Sequence, residues 1–159
     1  MNKSLLYSVI PICLLSGCYP TGGDIAINEV LAKSDSTADW IELYNFGPTE
    51  VQLANWSIGD NITEDLPWEL PDISLEAGEF LIIWASAGEG TEDGLHCDFK
   101  LAREGETLHL FDPSNEIIDQ VTYPVLGTEQ SYGRTIDGTG EWSILVAPSP
   151  GDSNVWDVE

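Results

Sequence analysis

Three kinds of side chain in this sequence carry chemistry: a histidine followed by a cysteine, a dense set of carboxylates, and six tryptophans. A thiol–imidazole dyad needs its two groups within hydrogen-bond reach. His96 and Cys97 are consecutive in a segment of alternating polarity, so their side chains point to opposite faces and the thiol reads as a small inward apolar residue. His109, between Leu108 and Leu110, is expected to face outward. Two histidines without helical spacing and one thiol do not make a zinc set. No G-x-S-x-G string is present, and no serine has a base at a recognisable spacing. With 28 Asp and Glu, carboxylate pairs arise by accident, so their presence supports no glycosidase assignment.

The acids are better suited to a hard cation. Calcium takes six to eight oxygen ligands from flexible acidic loops, and 60–65 (DNITED) and 89–94 (EGTEDG) have that composition without the pattern of an EF-hand. Asp60, Asp65, Glu92 and Asp93 are the candidate calcium ligands, and no other cofactor is implied. Among the tryptophans, Trp40, Trp56 and Trp84 lie within strand-like segments and are assigned to the core. Trp68 and Trp156, in turn-rich or terminal segments, are the candidates for exposed contacts with a glycan or protein. Arg134 stands among acid-rich strands and is expected to pair with Glu42 or Glu29 in a structural role.

Short apolar segments must position these groups. They recur at 25–31, 40–44, 51–58, 73–75, 80–85, 95–101, 107–111, 117–123 and 142–146, divided by turn strings such as Phe46-Gly47-Pro48 and Asp137-Gly138-Thr139-Gly140. Several alternate with period two, and none sustains a helical pattern. About nine short strands and no significant helix after the N-terminal segment predict an all-β sandwich or barrel.

The first eighteen residues (MNKSLLYSVIPICLLSGC) place Lys3 before an apolar run that ends in small residues and a cysteine, the layout of a secretory signal. The run is shorter than the roughly 20 apolar residues that a membrane span needs. Leu15-Ser16-Gly17-Cys18 resembles a bacterial lipobox, which implies cleavage before Cys18 and acylation of its thiol. Residues 1–17 are thus read as a lipoprotein signal peptide, 18–24 as a short membrane-proximal linker, 25–154 as one domain and 155–159 as a tail. All 28 acids follow residue 18, with only Lys33, Lys100, Arg103 and Arg134 as side-chain counter-charges. Such a surface repels polyphosphate, which argues against DNA or RNA as a partner.

Specific strings go further than composition. Ile27-Asn28-Glu29-Val30, Asp39-Trp40-Ile41-Glu42-Leu43-Tyr44-Asn45, the stretch 66–85, His96-Cys97-Asp98-Phe99-Lys100-Leu101, Ser131-Tyr132-Gly133-Arg134 and Pro148-Ser149-Pro150-Gly151-Asp152-Ser153-Asn154 resemble, in order, bacterial lamin tail domains. The resemblance implies an immunoglobulin-like β-sandwich over residues 25–154 and supplies no catalytic residues. The expected protein is an exported binding, adhesion or scaffolding module, not an enzyme, fixed through the lipid on Cys18 to the cell envelope. Tyr19 after the cysteine directs it to the outer membrane if the cell has two. A carbohydrate- or calcium-binding accessory module is the alternative, and a hydrolase ranks behind both.

Overall fold

The computed structural model describes residues 24–60, 67–145 and 147–155. Its twelve strands are β1 (Ile25–Leu31), β2 (Trp40–Asn45), β3 (Val51–Gln52), β4 (Ser57–Gly59), β5 (Trp68–Glu69), β6 (Ser74–Leu75), β7 (Phe80–Trp84), β8 (Leu95–His96), β9 (Thr107–Phe111), β10 (Ile117–Thr122), β11 (Ser131–Arg134) and β12 (Trp142–Leu145). They form a six-stranded sheet ordered β12-β11-β1-β2-β7-β8, a four-stranded sheet ordered β10-β9-β4-β5, and the small pair β3-β6. The chain is an all-β immunoglobulin-like sandwich. No helix among the described residues is long and apolar enough to cross a membrane.

Most of the expected segments are strands, with three differences. The segment 51–58 divides into β3 and β4 because Asn55 adopts a positive φ of 65°, which turns the chain out of the extended region. The segment 95–101 is a strand only at β8 and then bends, rejoining the fold through a bridge between Ser86 and Lys100. β5 and β11 are additional strands.

The sandwich is filled from both sheets by alternating residues, Ile25, Ile27, Ile41, Leu43 and Ile83 from one and Ile58, Leu108, Leu110 and Val121 from the other, all buried. Trp56 and Cys97 join this core, and Trp40 is equally buried. Trp84 is half-buried, its indole N–H donating to the Asp93 carbonyl at 3.0 Å. Trp68 is also half-buried and packs against the core, so the exposed-contact reading does not hold for it. Register explains the packing: Ile58 pairs with both Trp68 and Leu110, which puts Trp68 on the inward face.

The two sheets are tied by charge as well as by apolar contact. β1 and β10 each carry a register shift, at Ile27/Glu29 and at Ile117/Asp119. On the side toward β11, the Ile27 N–H donates to Asp119 at 2.9 Å while the Ile27 carbonyl accepts from Arg134 Nε at 2.9 Å. Arg134 Nη2 in turn reaches both Asp119 oxygens at 3.0 and 2.8 Å. Nη1 donates to the Gly140 carbonyl, and the guanidinium lies 4.7 Å from the centre of the Trp142 ring. The partner of Arg134 is therefore Asp119 and not Glu42 or Glu29. Glu29 lies opposite Gly133, so Arg134, one residue on, projects to the other face of the sheet.

Glu29 and Glu42 face each other across β1 and β2, fully buried on the outward side, under the C-terminal segment 149–154. Glu29 accepts from the Ser149 N–H, from its hydroxyl at 3.0 Å and from Ser131. Glu42 accepts from Asn28 Nδ2 at 2.9 Å and from the Gly151 N–H at 2.7 Å. Asn154 closes the strap, with Nδ2 on the Asn28 and Arg134 carbonyls and its N–H on Asp137. Burial pushes Glu42 up to about 7, the charges of Glu29 and Asp137 adding to the effect and the two hydrogen bonds opposing it. Burial raises Glu29 as well.

Two outcomes are expected. Removing one partner from a largely buried ion pair leaves the other charge uncompensated, so Arg134→Met should cost about 3–5 kcal/mol in urea denaturation. Because folded Glu42 holds its proton more tightly than the unfolded side chain at 4.5, its stabilising contribution is full below pH 4.5 and is lost as pH rises through about 7. Stability should fall by roughly 1–3 kcal/mol between pH 5 and pH 8, and Glu42→Gln should flatten that slope if measured at both pH values.

Candidate functional site

Strand direction gives the sandwich two poles. β1 starts at Ile25 beside Asn45, the end of β2, and finishes at Leu31 beside Trp40, which pairs with Trp84 at the end of β7. Seven residues of strand separate the poles by about 20 Å. The chain enters at the first pole, where Asp24 accepts from the Phe46 N–H. At the opposite pole the loops after β1, β7 and β8 surround a solvent-open recess of about 410 Å3, whose polar lining includes Thr37, Asp39, Ser86, Glu89, Glu92 and Lys100.

The loop between β7 and β8 is braced from within. Ser86 Oγ lies 2.9 Å from His96 Nδ1, and His96 Nε2 lies 2.8 Å from the Glu92 carbonyl. Only the Nε2–H tautomer donates to that carbonyl while accepting from the serine. Glu92 spends one oxygen on the Ala38 N–H at 2.8 Å and the other on the Thr91 N–H at 3.0 Å. These backbone donors, Ala38 first, hold its carboxyl below the usual range. Gly90 makes the brace possible: a Cβ there would lie 2.4 Å from the His96 ring and 2.9 Å from Ser86 Oγ.

A serine paired with a histidine invites a nucleophilic reading, and no motif announces it because the partners are ten residues apart, Ser86 in the loop after β7 and His96 in β8. Acyl transfer also needs N–H groups free to stabilise an oxyanion. The three amides after Ser86 are committed, Ala87 to the Phe99 carbonyl, Gly88 to that of Cys97, and Glu89 to that of Ser86. Gly90 covers the hydroxyl, and Ser86 is only 6% exposed. The pair is a brace for the recess wall.

Asp39 is the group left over. Its carboxylate lines the recess half-buried and has no hydrogen bond among the described residues. Burial pushes it up to about 6, with the charge of Glu106 adding to the rise and Lys100 opposing it. Glu106 itself accepts from the buried Tyr123 hydroxyl at 2.6 Å. Lys100 pairs with Glu89 at 3.3 Å on the exposed rim, a contact that contributes little to stability. The recess therefore offers oxygen acceptors to a ligand that brings hydrogen-bond donors.

The other sequence-derived candidates are scattered. Cys18, Asp65 and Trp156 lie outside the described residues. Asp60 is exposed, and Asp93 contributes its carbonyl to Trp84. No group of three or more His, Cys, Asp or Glu among the described residues is placed to hold a metal ion. Cys97 is fully buried, its thiol directed at the Phe99 carbonyl and pushed up to about 11 by burial. His109 does leave the face of Leu108 and Leu110, as alternation requires, but that side of the sheet is covered. It is 8% exposed, packs beside Phe111, and its Nδ1 has no hydrogen-bond partner among the described residues.

Gly90→Ala tests the brace. The added methyl must displace His96 or the loop backbone, so a loss of about 1–3 kcal/mol is expected. Hydrogen exchange should accelerate at Gly88 and Cys97, whose amides hold the loop, while the amides of β1 keep their protection relative to one another.

Comparison with known families matches the Lamin Tail Domain to residues 19–124. No curated protein matches the chain.

Proposed function

We propose that this chain, which belongs to the lamin tail domain family, is a membrane-tethered extracytoplasmic binding module that presents the recess around Asp39 at the pole facing away from its anchor. The observation that carries this reading is polar geometry. The chain enters the sandwich at Asp24, six residues after Cys18, and the recess lies at the far ends of the same strands. A linker of six residues spans at most about 20 Å, so an acylated Cys18 keeps the first pole at the bilayer and leaves the second open to partners.

Further support comes from the family and from the committed state of the reactive groups. Lamin tail domains are immunoglobulin-like modules, and the match begins at residue 19, directly after the cysteine. The signal-like segment 1–17 and the lipobox-like string ending at Cys18 give the route of export, with the outer membrane as destination in a cell that has two. The partner is a protein or glycan of the envelope or its surroundings that offers hydrogen-bond donors to Asp39. Calcium at the acidic loops is a weaker second role, since Glu92 already serves two backbone amides.

Fractionation tests the tether. Two acyl chains exceed the threshold for stable anchoring, and the described domain has no apolar helix to replace them. Cys18→Ser should move the protein from the membrane to the soluble fraction, with circular dichroism of the domain unchanged. Retention of that variant in washed membranes would overturn the lipoprotein reading.

A further inference from the structure

The pole at which the chain enters carries an apolar surface of its own. Phe46, Ile136 and Val155 are three of the six large hydrophobic side chains exposed among the described residues, Ile136 at 66% and Val155 at 74%. Local contacts bring them together. Phe46 bonds to Asp24 through its N–H, and Gly138 packs on the Phe46 side chain so closely that a Cβ there would lie 2.6 Å from Phe46 Cβ and 2.7 Å from its ring. Ile136 opens the turn that holds Gly138, its carbonyl accepting from Thr139 and Gly140. Asp137, in the same turn, accepts from Asn154, the residue before Val155.

We infer that this surface is a seat for a lipid bilayer of neutral headgroup charge, against which Phe46, Ile136 and Val155 rest when Cys18 is acylated. The inference deepens the proposed function and rests on its lipid tether. The length of chain outside the structure selects the occupant. Five residues separate Cys18 from Asp24, and Asp24 contacts Phe46, so the acyl chains and the apolar surface are held at the same interface at high effective concentration. Isolated, three side chains bind a membrane too weakly to persist, but a tether converts their contact into an intramolecular step.

Charge sets the preference for headgroups. The acids near this pole include Asp24, Glu50, Glu76, Glu79, Asp137 and Glu141, and the nearby Arg134 is engaged by Asp119. Anionic lipid would repel the pole, the more so at low ionic strength. The seat thus differs from a polybasic patch, which binds anionic membranes and is released by salt. Its consequence is orientation: a domain resting on this pole holds the Asp39 recess upright and away from the membrane instead of swinging on its linker.

The test uses the mature lipidated protein in phosphatidylcholine vesicles, with a thiol-reactive fluorophore on Ile136→Cys and, separately, on Thr37→Cys at the recess. Cys97 is fully buried and does not compete for the label in the folded protein. Iodide quenching at position 136 should be at least about threefold weaker than at 37, as expected for a group at the headgroup boundary, and nitroxide-bearing lipid should quench only position 136. Adding Val155→Asp should restore iodide access at 136 while the protein still floats with the vesicles. On anionic vesicles at low salt, nitroxide-bearing lipid should no longer quench position 136. Equal iodide access at the two positions on floating protein overturns the seat while leaving the tether intact. Failure to float overturns the tether itself. Protection at 136 that appears only at high protein-to-lipid ratio overturns the bilayer as occupant in favour of a second copy of the chain.

Discussion

The fold depends on how the two sheets satisfy one residue, Ile27. Where β1 shifts register, its N–H and carbonyl on the side of β11 have no strand partner, and an unpaired buried peptide group costs about as much as a lost hydrogen bond. Asp119 from the opposite sheet takes the N–H, Arg134 takes the carbonyl, and the two side chains are ion-paired with each other. One arrangement thus completes a backbone ladder, neutralises a mostly buried acid and arginine, and fixes the distance between the sheets. Because β10 carries its own register shift beside Asp119, both irregularities serve the same junction.

The opposite face of the same sheet explains how so acidic a chain buries acids. Glu29 and Glu42 are opposite one another in register, an arrangement of like charges that is ordinarily destabilising. Here each carboxylate is capped by the C-terminal strap, whose amides and hydroxyls supply donors in place of water. The strap needs the carboxylates to satisfy its irregular backbone, and the carboxylates need the strap to leave water. That mutual requirement accounts for the string from Pro148 to Asn154 remaining attached to the sheet although it forms no strand.

The two ends of the sandwich divide the work. The pole at which the chain enters has small residues and exposed apolar side chains, whereas the far pole has long loops, a braced wall and a carboxylate, that of Asp39, with no hydrogen bond among the described residues. In the proposed arrangement, with the tether at one end and the recess loops at the other, loop chemistry can change without disturbing the sheets. The proposed binding role follows from this separation and not from the fold alone, which is shared by modules of many functions.

Much of the architecture was legible in the residues. Short apolar segments bounded by turn strings located β1, β2, β7, β9 and β10, since apolar runs and their breakers are local properties of the chain. Family strings located the sandwich, and adjacency on a strand correctly separated His96 from Cys97. What the residues could not convey was choice among distant partners. Arg134 had some 28 acids to choose from, and only the face it projects to selected Asp119 over Glu29 and Glu42. His109 alternates outward as read, yet whether an outward face meets water depends on what folds over it. The pairing of Ser86 with His96, the free carboxylate of Asp39 and the gathering of Phe46, Ile136 and Val155 at one pole are likewise products of loop closure. The sequence by itself determined the class of fold and the acidity, because composition and short-range patterning encode these. Tertiary structure decided the partners and the sites, because they join residues that nothing but the closed sandwich brings within reach.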